Sequence, residues 1–171
     1  LTYTSPSPKM ILHADGELKY AAHNLLTYSE DLTQWTNEGS TDSGTTITAS
    51  AGGTNHRLYQ ALSTVANNTY RVKARCKAGT HDFVYLSYMG TTSHYCIAVF
   101  DLSAGAGTAS ETNTGGASGT IVSTAITDAG GGWYDCEIIG SCTSAASDFM
   151  SVGIAEAATG NTFTTSATSS F

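Results

Sequence analysis

Apolar and polar residues alternate with a period of two along much of this chain, and nowhere hold the 3.6-residue spacing of a helix face. In residues 69–78, Tyr70, Val72, Ala74 and Cys76 fall on one side and Arg71, Lys73, Arg75 and Lys77 on the other. Residues 133–139 repeat the pattern, with Tyr134, Cys136 and Ile138 opposite Asp135 and Glu137, and residues 149–154 offer Met150, Val152 and Ile154. Shorter or more uniformly apolar runs fill 45–50, 57–62, 81–89, 95–102 and 121–126, with turn-forming residues at 78–80 and 90–93 and a Gly/Ser/Thr-rich loop over 103–120. Residues 25–35 have room for no more than a helical turn. Near the start, Thr4-Ser5-Pro6-Ser7-Pro8 reads as extended linker, and Met10-Ile11-Leu12 and Leu18-Lys19-Tyr20 flank Asp15-Gly16 as a short hairpin. Eight or so short strands predict an all-β chain folded as an antiparallel β-sandwich of the jelly-roll kind. Residues 1–23 form a linker and hairpin segment, and 24–171 the sandwich module. Opposite outward charges place 69–78 beside 133–139 in one sheet, with their apolar sides in a common core.

Composition supports this picture. Of 171 residues only 12% are charged, while 27 Thr, 20 Ser and 18 Gly supply polarity and turns. Such a mixture suits strands better than helices. Seven basic and 14 acidic residues give a net charge of −7, which argues against a nucleic-acid partner, since such domains carry a basic face. No apolar run is long enough for a membrane-spanning helix. The apolar Phe171 at the end suggests a piece of a longer polypeptide.

Cys76, Cys96, Cys136 and Cys142 contain no C-x-x-C pair. Four cysteines allow three disulfide pairings, among which sequence does not choose. The simplest reading is four free thiols acting as small core residues. Their spacing does not fit a zinc site, and no cofactor is implied. Catalytic signatures such as G-x-S-x-G, H-E-x-x-H or a P-loop are absent. Asp135 and Glu137 lie about 7 Å apart by strand rise, a separation known from glycosidases, but two acids on one flat strand flank no cleft. The chain reads as a non-enzyme.

Two segments resemble a known group. Residues 15–35, DGELKYAAHNLLTYSEDLTQW, resemble the opening of β-sandwich modules from bacteriophage virion proteins, with the pattern DG.L.YAPHNLLTYSEDF..W. Residues 128–136, DAGGGWYDC, resemble the D.GNGWYRC strand late in the same module. Residues 69–79 and Phe100-Asp101-Leu102-Ser103 fit its intervening patterns. The chain departs from the group at Ala22, where Pro is frequent, and at Asp135, where Arg is usual. The closing strand of the type YIWGAQLE has no counterpart, which implies a module lacking a final strand. The resemblance implies a carbohydrate-binding jelly roll on a tail fibre, tail spike or head decoration. It implies a virion location, host glycans or other virion proteins as partners, and a homo-oligomer, with a trimer favoured. A purely structural decoration or fibre-building block is the alternative, and a carbohydrate-binding module of a secreted bacterial enzyme a weaker one.

Glycan sites stack sugars on aromatic rings and read their hydroxyls with polar side chains. In residues 83–88, Val84, Leu86 and Tyr88 form the more apolar side, which leaves Tyr85 as the ring expected at the surface. His94 and Tyr95 follow a Gly/Thr/Ser turn and fall at a rim, with His56 and Arg57 from a neighbouring loop region. The candidate ligand-binding residues are therefore Tyr85, His94, Tyr95, Arg57 and His56. Trp35 and Trp133 are expected to pack at ends or edges of the core. The ladder Arg71, Lys73, Arg75 and Lys77 could meet an anionic polysaccharide, but pairing with an acidic neighbouring strand is the preferred reading.

Overall fold

A computed structural model of the protein describes residues 10–12, 14–20, 24–50, 55–91, 94–104, 119–143, 149–156 and 169–170. The described strands are β1 (Met10–Leu12), β2 (Leu18–Tyr20), β3 (Thr36–Glu38), β4 (Ser40–Asp42), β5 (Ile47–Ala49), β6 (Arg57–Ala61) and β7 (Thr69–Lys77). They continue with β8 (Phe83–Thr91), β9 (His94–Asp101), β10 (Gly119–Gly130), β11 (Trp133–Cys142), β12 (Phe149–Ala155) and β13 (Ser169–Ser170). The described residues contain no α-helix. One 3₁₀ turn, Leu32–Gln34, falls within the segment expected to hold a helical turn, and the Asp31 carboxylate caps it by accepting from the Thr33 N–H.

Among the described residues every strand pairing is antiparallel. A three-stranded sheet, β10-β11-β7, packs against a five-stranded sheet, β3-β6-β12-β8-β9, in a β-sandwich. A smaller sheet, β13-β5-β4, adds Ile47 to the same core, and β1 and β2 form the expected hairpin. The hairpin turn is fixed by the Asp15 side chain, which accepts from the Glu17 N–H.

The alternation read from sequence decides what enters the core. Val72, Cys76, Cys136 and Ile138 are buried there, and Tyr70, Ala74 and Tyr134 pack against them. From the five-stranded sheet come Leu58, Val84, Leu86, Phe100 and Val152, each at most 5% exposed. Burial of each such side chain contributes roughly 1.5–3 kcal/mol before ordering costs. Trp35 is also buried, and its indole N–H donates to the Tyr28 carbonyl at 2.8 Å.

β7 and β11 are neighbours in one sheet, as expected, and on their outer face Arg75 stands opposite Asp135 and Lys73 opposite Glu137. Arg75 donates to both Asp135 oxygens, at 2.7 and 3.1 Å, while Lys73 reaches diagonally to Asp135 at 3.1 Å and Arg71 to Glu137 at 3.4 Å. All four cysteines are buried thiols rather than disulfides.

Three expectations need correction. Trp133 is 41% exposed rather than packed in the core. It shares the outward parity of Asp135 and Glu137, and its ring lies 6.0 Å from the Lys77 ammonium. The strand expected over 121–126 extends from Gly119 to Gly130, because Gly119, Thr120, Thr127, Asp128 and Gly130 on its flanks also pair with β11. Tyr85 is fully buried. Both faces of β8 are covered: Val84, Leu86 and Tyr88 enter the main core, and Tyr85 enters a second cluster with Ile97, Val99 and Ala155. Sequence parity correctly assigned the two faces, but it carries no information about what covers the second one.

Candidate functional site

The outer face of the five-stranded sheet gathers the most varied chemistry. On β6, Leu58 points into the main core, so Arg57 and Tyr59 project from the opposite side. β12 lies beside β6 with Phe149 opposite Ala61 and Ser151 opposite Tyr59, which brings Phe149 diagonally onto Tyr59. The two rings meet tilted, with centroids 5.4 Å apart. The Arg57 guanidinium lies 5.4 Å from the Tyr59 centroid and 5.0 Å from that of Phe149. Each contact is a cation–π geometry of the kind worth roughly 0.5–1 kcal/mol when exposed.

Glu38, paired opposite Arg57 from β3, holds the guanidinium in place. Arg57 Nε donates to Glu38 Oε2 at 2.8 Å, and Arg57 Nη2 lies 2.6 Å from the same oxygen. Asn55 donates its amide to Glu38 Oε1 at 3.1 Å. The Glu38 side chain remains 39% exposed and the Arg57 side chain 13%. Two half-buried rings, a guanidinium, a carboxylate and an amide thus share one patch, the side-chain types that stack on sugars and read their hydroxyls.

The structure brings together three of the five expected site residues. His56 is fully buried next to Arg57 in the chain, and its Nδ1 hydrogen-bonds the Gly39 carbonyl. Tyr85 lies beneath the patch, close enough to feel the charges of Arg57 and Glu38, and burial pushes its phenol well above the ordinary value. Its hydroxyl makes no well-formed hydrogen bond. A side chain at Gly153 would put its Cβ 2.5 Å from the Tyr85 ring and 2.7 Å from the His56 carbonyl oxygen, so only glycine lets β12 pass here. His56 and Tyr85 therefore support the patch from inside, and neither offers a surface to a ligand. His94 and Tyr95 open β9, just after the expected turn, and pair with Thr91 and Met89. Their side chains lie outside the described part of the structure.

Sequence reasoning missed Tyr59, Phe149, Glu38 and Asn55. Tyr59 could have been found, since it shares a strand face with Arg57. Phe149 and Glu38 depend on the registers of β12 and β3 against β6, which no local pattern encodes.

Among the described residues no group of His, Cys, Asp and Glu is placed to hold a metal ion, and no helix is long and apolar enough to cross a membrane. Comparison with models of known protein families found no match, and comparison with curated proteins found none either.

Proposed function

We propose that this chain is a non-enzymatic module of a phage virion surface, a jelly-roll sandwich that binds host glycans as part of a tail fibre, spike or head decoration. The observation that carries glycan binding is the Arg57–Tyr59–Phe149 cluster with Glu38 and Asn55 at its edge. Its ion pair and ring contacts hold the polar groups in place before a ligand arrives, which lowers the ordering cost of binding. The phage assignment rests on the resemblance of residues 15–35 and 128–136 to virion modules. Single-site affinity is expected in the roughly micromolar to millimolar range, raised by multivalency in an oligomer such as a trimer.

A second reading, a structural decoration or fibre-building block, is favoured by one feature: Arg57, Glu38 and Asn55 already satisfy one another. A glycan array on the chain and on Tyr59→Ala, together with their melting temperatures, separates the two. Retention of glycans by the parent and loss in a variant that melts similarly supports recognition. Absence of any glycan bound by the parent supports the structural role.

A further inference from the structure

β7 is an edge strand of the three-stranded sheet, opposite the edge formed by β10. It hydrogen-bonds β11 along one side through an unbroken nine-residue register, and among the described residues no strand pairs with its other side. An edge of this length presents a row of unpaired N–H and C=O groups over about 30 Å. Beside it opens a groove of about 1260 Å³, walled by Val72 of β7, by Leu26 and Trp35 of the preceding loop, and by Tyr88, Met150 and Val152 of the facing sheet. The volume exceeds the roughly 300–1,000 Å³ of an ordinary small-molecule site, and the walls are mainly apolar, with Asn24, Glu30 and Asn68 also lining them, where the strand edge is polar.

We infer that the β7 edge takes up an extended segment of another polypeptide, in which apolar residues alternate with Asp or Glu. Period-two geometry places every second side chain of an added strand in the groove, against Val72 and Trp35, and turns the others outward beside the charged face of β7. That face selects for acids. Against the four cations Arg71, Lys73, Arg75 and Lys77, β11 sets two acids, Asp135 and Glu137, which pair with the first three, while Lys77 faces Trp133, so positive charge is in excess. Arg71, Lys73 and Arg75 keep side-chain exposures of 66%, 51% and 61% despite their ion pairs. The same argument disfavours the β7 of a second copy, which would set cation against cation. This site lies on the core side of the sandwich edge, away from the Arg57 patch, and does not depend on glycan binding.

Three labelled nine-residue peptides test the inference by fluorescence anisotropy on the chain as it stands. One alternates Leu and Glu, one alternates Leu and Lys, and one carries the Leu/Glu sequence with alternate backbone amides methylated. The expected result is saturable binding of the Leu/Glu peptide and protection of β7 amides from hydrogen exchange. The Leu/Lys peptide should bind at least about tenfold more weakly, and the methylated peptide should not bind. The Leu/Glu peptide should bind Tyr59→Ala as it binds the parent, which separates this site from the glycan patch. The inference is overturned if the Leu/Glu peptide does not bind, if binding ignores charge or methylation, or if the chain alone dimerises with its β7 amides protected.

Discussion

Arg75 and Asp135 stand directly opposite each other across β7 and β11 and are joined by two hydrogen bonds of 2.7 and 3.1 Å. Arg75, with Lys73 adding to it, holds the Asp135 carboxyl at about 2, below its ordinary 3.8. The unfolded chain therefore takes up this proton at a higher pH than the folded protein. The stabilisation is complete above about pH 4 and is lost as pH falls towards 2. Urea midpoints measured from pH 5 to pH 2 should decline, and Asp135→Asn should remove part of that decline while lowering stability at neutral pH. An identical pH profile for the two proteins would contradict this role.

Tyr85 should behave as a core residue. Tyr85→Ala should cost about 3–5 kcal/mol, as truncation of a large buried aromatic does. Tyr85→Phe should lie within about 1 kcal/mol of the parent, because the buried hydroxyl lacks a well-formed hydrogen bond to lose. Denaturant unfolding of the two variants checks both values, and a mild Tyr85→Ala would restore the surface role expected from sequence.

Gly153→Ala should destabilise by about 1–3 kcal/mol, the usual range for overpacking. Its new methyl would meet the Tyr85 ring at 2.5 Å and the His56 carbonyl at 2.7 Å. A depressed melting temperature is expected, with the loss reduced when Tyr85 is shortened to Leu in the same chain, since the two positions share one contact.

The cysteines should be inert while the protein is folded. Cys76 is pushed well up by its contact with Cys136 and by burial, and Cys96 likewise by Cys142 and burial. Thiolate is the reactive form and all four side chains are buried away from reagent, so a thiol reagent at neutral pH should modify none of them until denaturant is added. Rapid labelling of the native protein would show that the core opens more readily than its packing implies.

Period-two alternation and charge were enough to place β7 beside β11. The inward residues Val72, Cys76, Cys136 and Ile138 and the outward cations and acids are local properties of two strands. Burial of one face and ion pairing on the other follow from them directly. The sequence by itself also determined the all-β class, because period-two alternation in a Thr- and Gly-rich chain without helical periodicity lets apolar side chains share a buried face only when the segments pair as strands. Only the tertiary structure decided what lies against each face. Tyr85 has the parity of a surface residue yet is buried, because the second side of β8 is covered as well. The Arg57 patch draws Glu38 and Phe149 from strands far apart in the chain, through registers set by packing of the whole sheet. A residue's face is encoded by its neighbours at i±2, whereas its environment is fixed by which elements meet across the core, and that long-range pairing leaves no local trace in the chain.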